Sequence, residues 1–387
     1  MMATLYHGAA IFDGDRLGPG ALLVDKGRIA AVLPPEARPE GAGRVALSGG
    51  ILAPGFVDLQ LNGGGGVMFN DAPNTETVAR IAEAHARLGS LTILPTLITD
   101  TPATTRAAIA AIEGAIAAGI AGVAGLHLEG PHLSVARKGA HDPALIRPMG
   151  EGDLAMLLDA ARRLPRLMVT LAPENVSVAQ IAALAQAGVI VSLGHTDADF
   201  ATCRAAVAAG ARLATHLFNA MSPFGHREPG LVGAVLATGA LDSGLIADGI
   251  HVHPAAIAAA LAAKSGPGEI FLVTDAMAPA GTEIERFELN GREILRRDGR
   301  LTLADGTLAG ADLDFARAIR VLRDDVGVAV DRALAMASRI PARVLGIADR
   351  CGALKPGRDA DFVHLTESLQ LSGVWRKGAP VDLDANI

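Results

Sequence analysis

The sequence predicts an α/β protein: a (β/α)8 TIM barrel accompanied by a small β-sandwich domain that both chain termini build together. Three observations carry this. From Ile51 onward, short apolar runs alternate with Ala-rich helical stretches, the text of βα units on a parallel sheet. Eight such runs can be counted, the number of parallel βα units that closes a barrel. Both ends of the chain read instead as short strands and turns.

The expected organisation follows from that text. Residues 1–50 and 349–387 form the two parts of the small β domain, and residues 51–348 form the barrel. In the first part, Gly14, Gly18, Gly27 and the Pro34–Pro35 pair punctuate the strands. Eight runs supply the barrel: Phe56–Gln60, Thr92–Pro95, Gly125–Glu129, Leu167–Leu171, Val189–Leu193, Leu213–Thr215, Gly244–Ala247 and Phe271–Thr274. Helical stretches between them include Thr75–Leu88, Pro102–Ala118, Ala198–Ala209 and Pro254–Ala263. Arg286–Leu303, FELNGREILRRDGRLTL at its heart, reads as an inserted hairpin. Helices over 312–323 and 331–345 complete the barrel.

Composition narrows the function. Of 387 residues half are hydrophobic but only 3% aromatic, so aliphatic side chains fill the core. A net charge of −7 without a basic run argues against nucleic-acid binding. Cys203 and Cys351 form no CxxC pair, which fits a reducing, cytoplasmic setting. The start, MMATLYHGA, has no secretory pattern. Ala107–Leu126 is apolar apart from Glu113, but Gly119, Gly122 and Gly125 interrupt it. A helix followed by a strand is expected there rather than a membrane span.

In a barrel of this kind chemistry sits at the C-terminal strand ends. Glu129 ends the third run, His195 the fifth and His216 the sixth. Asp248 and His251 follow the seventh, and Asp275 ends the eighth. Either histidine alone reads most simply as a hydrogen-bonded core residue. Ionisable residues at several strand ends together do not. Two imidazoles and a carboxylate make a three-ligand metal site with a position open to water, and Asp275 fits the base that takes that water's proton. His127 shares a face with Glu129 and is expected beneath the site. The H-x-E it forms lacks the P-C-x-x-C of zinc deaminases. NGGGG at Asn62–Gly66 lacks G-K-[ST] and reads as a tight turn.

The blocks PGFVDLQLNGGGG, LHLEGPHLSVARKGAHDP, LGHTDA, THLFNAM, REPGLVG, ADGIHV and VTDAMAPAG stand in order from Pro54 to Gly281. Together they resemble N-acetylglucosamine-6-phosphate deacetylases of the amidohydrolase superfamily. The resemblance implies that Glu129, His195 and His216 hold a metal and that Asp275 is the catalytic acid/base. His141 contacts the acetamido carbonyl. Asn219, Ala220, His251 and Arg227 hold the sugar phosphate, Arg227 reaching the neighbouring active site of a homodimer. The wider superfamily carries His-x-His on the first strand; here Gln60 and Asn62 occupy those positions, and neutral amides are poor ligands. One divalent metal per subunit is therefore expected, zinc first, with iron or cobalt also suited to the donor set. Gln60 and Asn62 are then vestiges of a second site. The rival readings are another amidohydrolase chemistry (cyclic-amide opening or deamination) and a non-catalytic sugar-phosphate binder. Neither a nucleic-acid nor a membrane partner is expected.

Overall fold

The structure is a computed structural model and describes residues 3–384; the outermost residues of the two expected terminal parts lie outside it. Eight parallel strands form one sheet in sequential order. They are β1 (Phe56–Leu61), β2 (Ser90–Ile98), β3 (Leu126–Glu129), β4 (Leu167–Leu171), β5 (Ile190–Leu193), β6 (Leu213–Ala214), β7 (Asp242–Leu245) and β8 (Ile270–Leu272). The ring closes between β1 and the segment after β8. Leu61 bridges Ala276 in parallel, and the Asp275 N–H donates to the Gln60 carbonyl at 2.9 Å. Every residue of β1, β3, β4 and β5 is buried, as befits parallel strands covered on both faces.

Helices surround the ring: α1 (Thr75–Arg87), α2 (Pro102–Ala117), α3 (Glu151–Arg163), α4 (Val178–Gln186), α5 (Phe200–Ala208), α6 (Gly230–Ala237), α7 (Pro254–Ala263) and α8 (Phe315–Val321). Their starts follow local chemistry. The Asn74, Thr101, Ser177, Asp199 and Asp314 side chains each accept from a main-chain N–H of the first turn, satisfying an otherwise orphaned donor. The expected helix over 312–323 starts later, at Phe315, and gives way to a π-helical turn, Leu322–Val326, ended by Gly327 at φ 81°. The expected helix over 331–345 breaks at Ser338 into Val330–Ala337 and Arg339–Val344. As expected, the stretch after Ala107 is a helix end, a loop and β3. Among the described residues no helix is long and apolar enough to cross a membrane.

The inserted hairpin is larger than its text suggests. Arg286–Leu289, Arg292–Arg297, Arg300–Thr302 and Leu308–Ala311 make a four-stranded sheet. Leu289, Ile294, Leu301 and Ala309 bury against Met68, Ile98 and Met277 at the top of the barrel. The insertion is thereby fixed over the C-terminal strand ends.

Strands from both ends of the chain form two further sheets. One has four strands, in the order Arg28–Leu33, Ala21–Asp25, Thr4–His7, Gly43–Ala46. The other has six, and in it Phe362–Leu365 pairs with Ile51–Pro54, which pairs with Ala10–Phe12. Tyr6, Leu22, Val24 and Ile29 of the first bury against Ile11, Leu52 and Phe362 of the second, so the two sheets pack as a sandwich. Ile51–Pro54 thus joins the sandwich and not the barrel, and the changeover falls after Pro54 rather than after residue 50. The chain turns there at Gly55, where a Cβ would lie 2.7 Å from the Leu91 side chain.

Candidate active site

The strand ends bring Glu129, His195, His216 and Asp275 together, each at most 8% exposed. Glu129 Oε1 lies 3.2 Å from His195 Nε2 and 3.1 Å from His216 Nε2. The two Nε2 atoms are 3.1 Å apart. His195 (φ 46°), His216 (φ 32°) and Asp275 (φ 50°) all adopt left-handed backbone. That conformation costs a non-glycine residue free energy and persists where the surroundings over-determine it, a common mark of functional sites.

The neighbours aim these groups. His195 Nδ1 donates to the Arg137 carbonyl at 2.8 Å, since a carbonyl can only accept. Its Nε2 therefore presents a lone pair to the cluster. On the other side, the Gln60 amide donates to Glu129 Oε1 at 3.2 Å and to Asp275 Oδ1 at 3.3 Å. The Asn62 amide donates to Asp275 Oδ1 at 2.7 Å. Where paired histidines would face a second cation, two NH2 groups face two carboxylates.

Beneath the cluster, hydroxyls and one imidazole cross the barrel. His127 Nδ1 meets Thr96 Oγ1 at 3.1 Å and its Nε2 meets Thr170 Oγ1 at 2.7 Å. Thr170 continues to Thr215 at 2.7 Å, and Thr215 to Ser192 at 2.6 Å. Both His127 nitrogens are occupied, so it supports the site from below, as its place two residues before Glu129 predicts.

Electrostatics follow from burial and proximity. Burial works to raise the Glu129 pKa, but the two imidazoles against its carboxylate prevail and hold it well below the usual carboxylate range. Burial likewise opposes protonation of His216, yet the bond to Glu129 raises its pKa. Asp275 is pushed up to about 6, by burial first and by the Glu129 charge second. These signs bear on the metal. Two imidazole nitrogens and a carboxylate oxygen about 3 Å apart need positive charge among them, either a proton on His216 or a bound cation. The donor set fits a divalent cation.

Glu129, His141 and His195 also qualify as a cation-binding group, with ligand atoms within 4.8 Å of one another. His141 is the weaker ligand of the two alternatives. Its Nδ1 accepts from the Thr99 N–H at 3.4 Å and lies 2.8 Å from Thr99 Oγ1. The neutral ring then carries its proton on Nε2, which makes it a donor. Burial first, and the His195 ring beside it second, hold its pKa well below the usual value, which keeps it neutral.

These residues line a cavity of about 250 Å³ together with Asn62, Asn219, Ala220 and His251. Ala220 is left-handed at φ 48°. Arg227 is not among the lining residues and lies exposed on the loop before α6. Several contributors were not singled out by sequence reasoning. Thr307, Leu308 and Gly310 of the insertion form part of the cavity wall. Thr99 sets the His141 tautomer. Arg137 acts on His195 through its carbonyl, for which no side-chain pattern exists.

Strained, buried, metal-suited residues at the mouth of a closed (β/α)8 barrel define a hydrolytic metal-site protein as a class. The Amidohydrolase family profile matches residues 51–381, and the chain belongs to that family, which is metal-dependent. It is 41% identical to the N-acetylgalactosamine-6-phosphate deacetylase of Shewanella sp. (strain ANA-3), over 86% of this chain and 83% of that one. It is 34% identical to the N-acetylglucosamine-6-phosphate deacetylase of Haemophilus influenzae, over 94% and 95%. The fold matches the crystal structure of N-acetylglucosamine-6-phosphate deacetylase from Pasteurella multocida with a TM-score of 0.93, at 34% identity, covering 98% of this chain and 99% of that one.

Proposed function

We propose that this protein hydrolyses the acetamide of N-acetylglucosamine 6-phosphate, giving glucosamine 6-phosphate and acetate. The observation that carries the reading is the convergence of Glu129, His195 and His216 on one point, with Asp275 and His141 on the same cavity. The similarity to deacetylases of phosphorylated amino sugars over most of the chain supports it.

Glu129, His195 and His216 hold one divalent cation per subunit, zinc by preference and iron or cobalt as alternatives. Such a cation supplies Lewis acidity toward a carbonyl oxygen and toward water. His141 donates its Nε2–H to the carbonyl oxygen as negative charge develops there. Asp275 takes a proton from the attacking water and returns it to the amine nitrogen as the C–N bond breaks. An upward-shifted carboxyl suits that exchange, because both protonation states lie within reach near neutrality. Gln60 and Asn62 replace a second cation: their amides steady Glu129 and Asp275 by hydrogen bonding.

Asn219, Ala220 and His251 take the sugar phosphate, and Arg227 completes that subsite from the neighbouring subunit of a homodimer. Its exposure, beside a Phe224 that is 62% exposed, supports a role across an interface. The barrel acts as the catalytic domain and the terminal sandwich, which takes in Ile51–Pro54, as its support. Both cysteines are free, which supports a cytoplasmic enzyme. A second reading, hydrolysis of the C4 epimer N-acetylgalactosamine 6-phosphate, is favoured by the 41% identity to the Shewanella protein.

The test joins metal analysis to acetate release from both phosphorylated epimers and from unphosphorylated N-acetylglucosamine. About one metal per chain, with the glucosamine epimer favoured and the phosphate required, is expected. Preference for the galactosamine epimer installs the second reading. Turnover indifferent to phosphate overturns both.

A further inference from the structure

A phosphate monoester brings up to two negative charges into a cavity already holding Glu129 and Asp275. Among the described residues lining that cavity there is no lysine and no arginine. Positive charge from within the subunit must therefore come from an imidazole. Three of the four imidazoles there are committed to the reacting end: His195 and His216 to Glu129, and His141 to Thr99. The fourth, His251, has a carboxylate of its own.

That carboxylate is Asp248, on the turn after β7. Its side chain is 1% exposed and that of His251 is 7% exposed. Asp248 Oδ1 accepts the main-chain N–H groups of Ile250 and His251, both at 2.8 Å. Asp248 Oδ2 lies 2.6 Å from His251 Nδ1. Burial works to raise the Asp248 pKa, but these bonds to His251 outweigh it and hold it down, so the group is an acceptor. Nδ1 must then carry a proton, and Nε2 is the ring atom left for the cavity. A neutral ring in that tautomer offers a phosphate oxygen only a lone pair, which repels it. A ring protonated on both nitrogens offers a charge-assisted donor.

We infer that Asp248 is a positioning residue for phosphate recognition: it fixes the Nδ1 proton of His251 and supplies the counter-charge with which Nε2 meets the phosphate as an N–H donor. The two N–H bonds to Oδ1 lock the turn, so the carboxylate sets the ring's aim as well as its charge. Other ionisable groups share the cavity with His251. Asp275 after β8 and His216 after β6 line the same cavity, with Glu129, His141 and His195 toward the reacting end. Asp248 is the group in direct contact. This inference rests on the proposal that the cavity takes a sugar phosphate.

The test is the Asp248→Asn variant of the full-length, metal-loaded enzyme, with steady-state kinetics on phosphorylated and unphosphorylated N-acetylglucosamine. Its amide oxygen can keep both turn N–H bonds while the charge is lost. KM for the phosphorylated sugar, and the inhibition constant of inorganic phosphate, should rise about ten- to hundredfold, the range for hydrogen bonds to charged groups. kcat should change far less, and metal content should stay constant. Asp248→Glu should recover part of the loss. An equal fall in kcat/KM for both sugars, or unaltered phosphate inhibition, overturns the inference. Wild-type enzyme indifferent to phosphate sinks the underlying reading instead, so the two failures are distinguishable. Imidazole 15N resonances of histidine-labelled wild-type protein give a check that does not depend on a variant folding. With saturating inorganic phosphate, His251 should show two protonated nitrogens; a bare Nε2 refutes the inference.

Discussion

The C-terminal strand ends of the barrel and the terminal sandwich solve opposite problems. At the C-terminal strand ends, His195, His216 and Asp275 sit in left-handed backbone, and like-charged carboxylates share a cavity. At the other extreme, the terminal sandwich has an apolar core knit by rings. Phe362 stacks on Trp375 with centroids 4.9 Å apart, and Tyr6 meets both edge-on at 5.0 and 5.5 Å. Three of the four Phe, Tyr and Trp ring contacts among the described residues lie here. The difference teaches where stability is generated and where it is spent: the sandwich is built to hold, the strand ends to react.

If so, substitutions in the two regions should have opposite signatures. Asp275→Asn should lower turnover by about 10²–10⁴-fold, the span of a positioned general acid or base. Its unfolding midpoint should hold or rise, because a buried carboxylate beside Glu129 has been neutralised. Metal content should be retained. Near-normal turnover would break the assigned role, and a marked fall in the midpoint would break the comparison. Phe362→Ala should do the reverse. The side chain is fully buried, and such deletions cost about 3–5 kcal/mol. Specific activity of the folded fraction should be unchanged. Loss of turnover by a still-folded variant would mean the sandwich shapes the active site.

The same contrast governs what the sequence discloses. The barrel was legible because short, largely apolar runs alternate with Ala-rich helical stretches, and because several ionisable residues gather at the ends of those runs. Glu129, His195, His216 and Asp275 all stand at such ends. The sandwich boundary was less legible. ILAPGFVDLQL is one apolar stretch in which only Gly55 marks the passage from sheet to barrel, so Ile51–Pro54 reads as barrel text. The carbonyl of Arg137 and the tautomer set by Thr99 leave no trace in residue type. The insertion's fourth strand, and the reach of Thr307 to Gly310 into the cavity, depend on tertiary packing that local pattern does not encode. Asp248 was visible as a residue near a strand end, but its partner atom was not.

A third, smaller effect locates where the burdened region ends. Asp58 lies on β1 inside the barrel, with no exposure to solvent. Thr274 Oγ1 donates to it at 2.5 Å, and the Gln60 and Thr274 N–H groups donate at 3.3 Å. Burial nevertheless pushes its pKa from 3.8 up to about 7. The folded protein therefore keeps this proton over a range in which the unfolded chain has released it. Its contribution to stability is full below about pH 4, falls as pH rises toward 7, and is then constant. The slope is at most about 1.4 kcal/mol per pH unit. Asp275 titrates in a similar window, so the difference between wild type and Asp58→Asn isolates the effect. Urea unfolding of both proteins from pH 4 to 8 should show the wild type losing ground to the variant up to about pH 7 and no further. A difference independent of pH would mean that the three hydrogen bonds, not burial, control Asp58. The unfavourable electrostatics of the catalytic face would then stop at Gln60 rather than extend down the first strand.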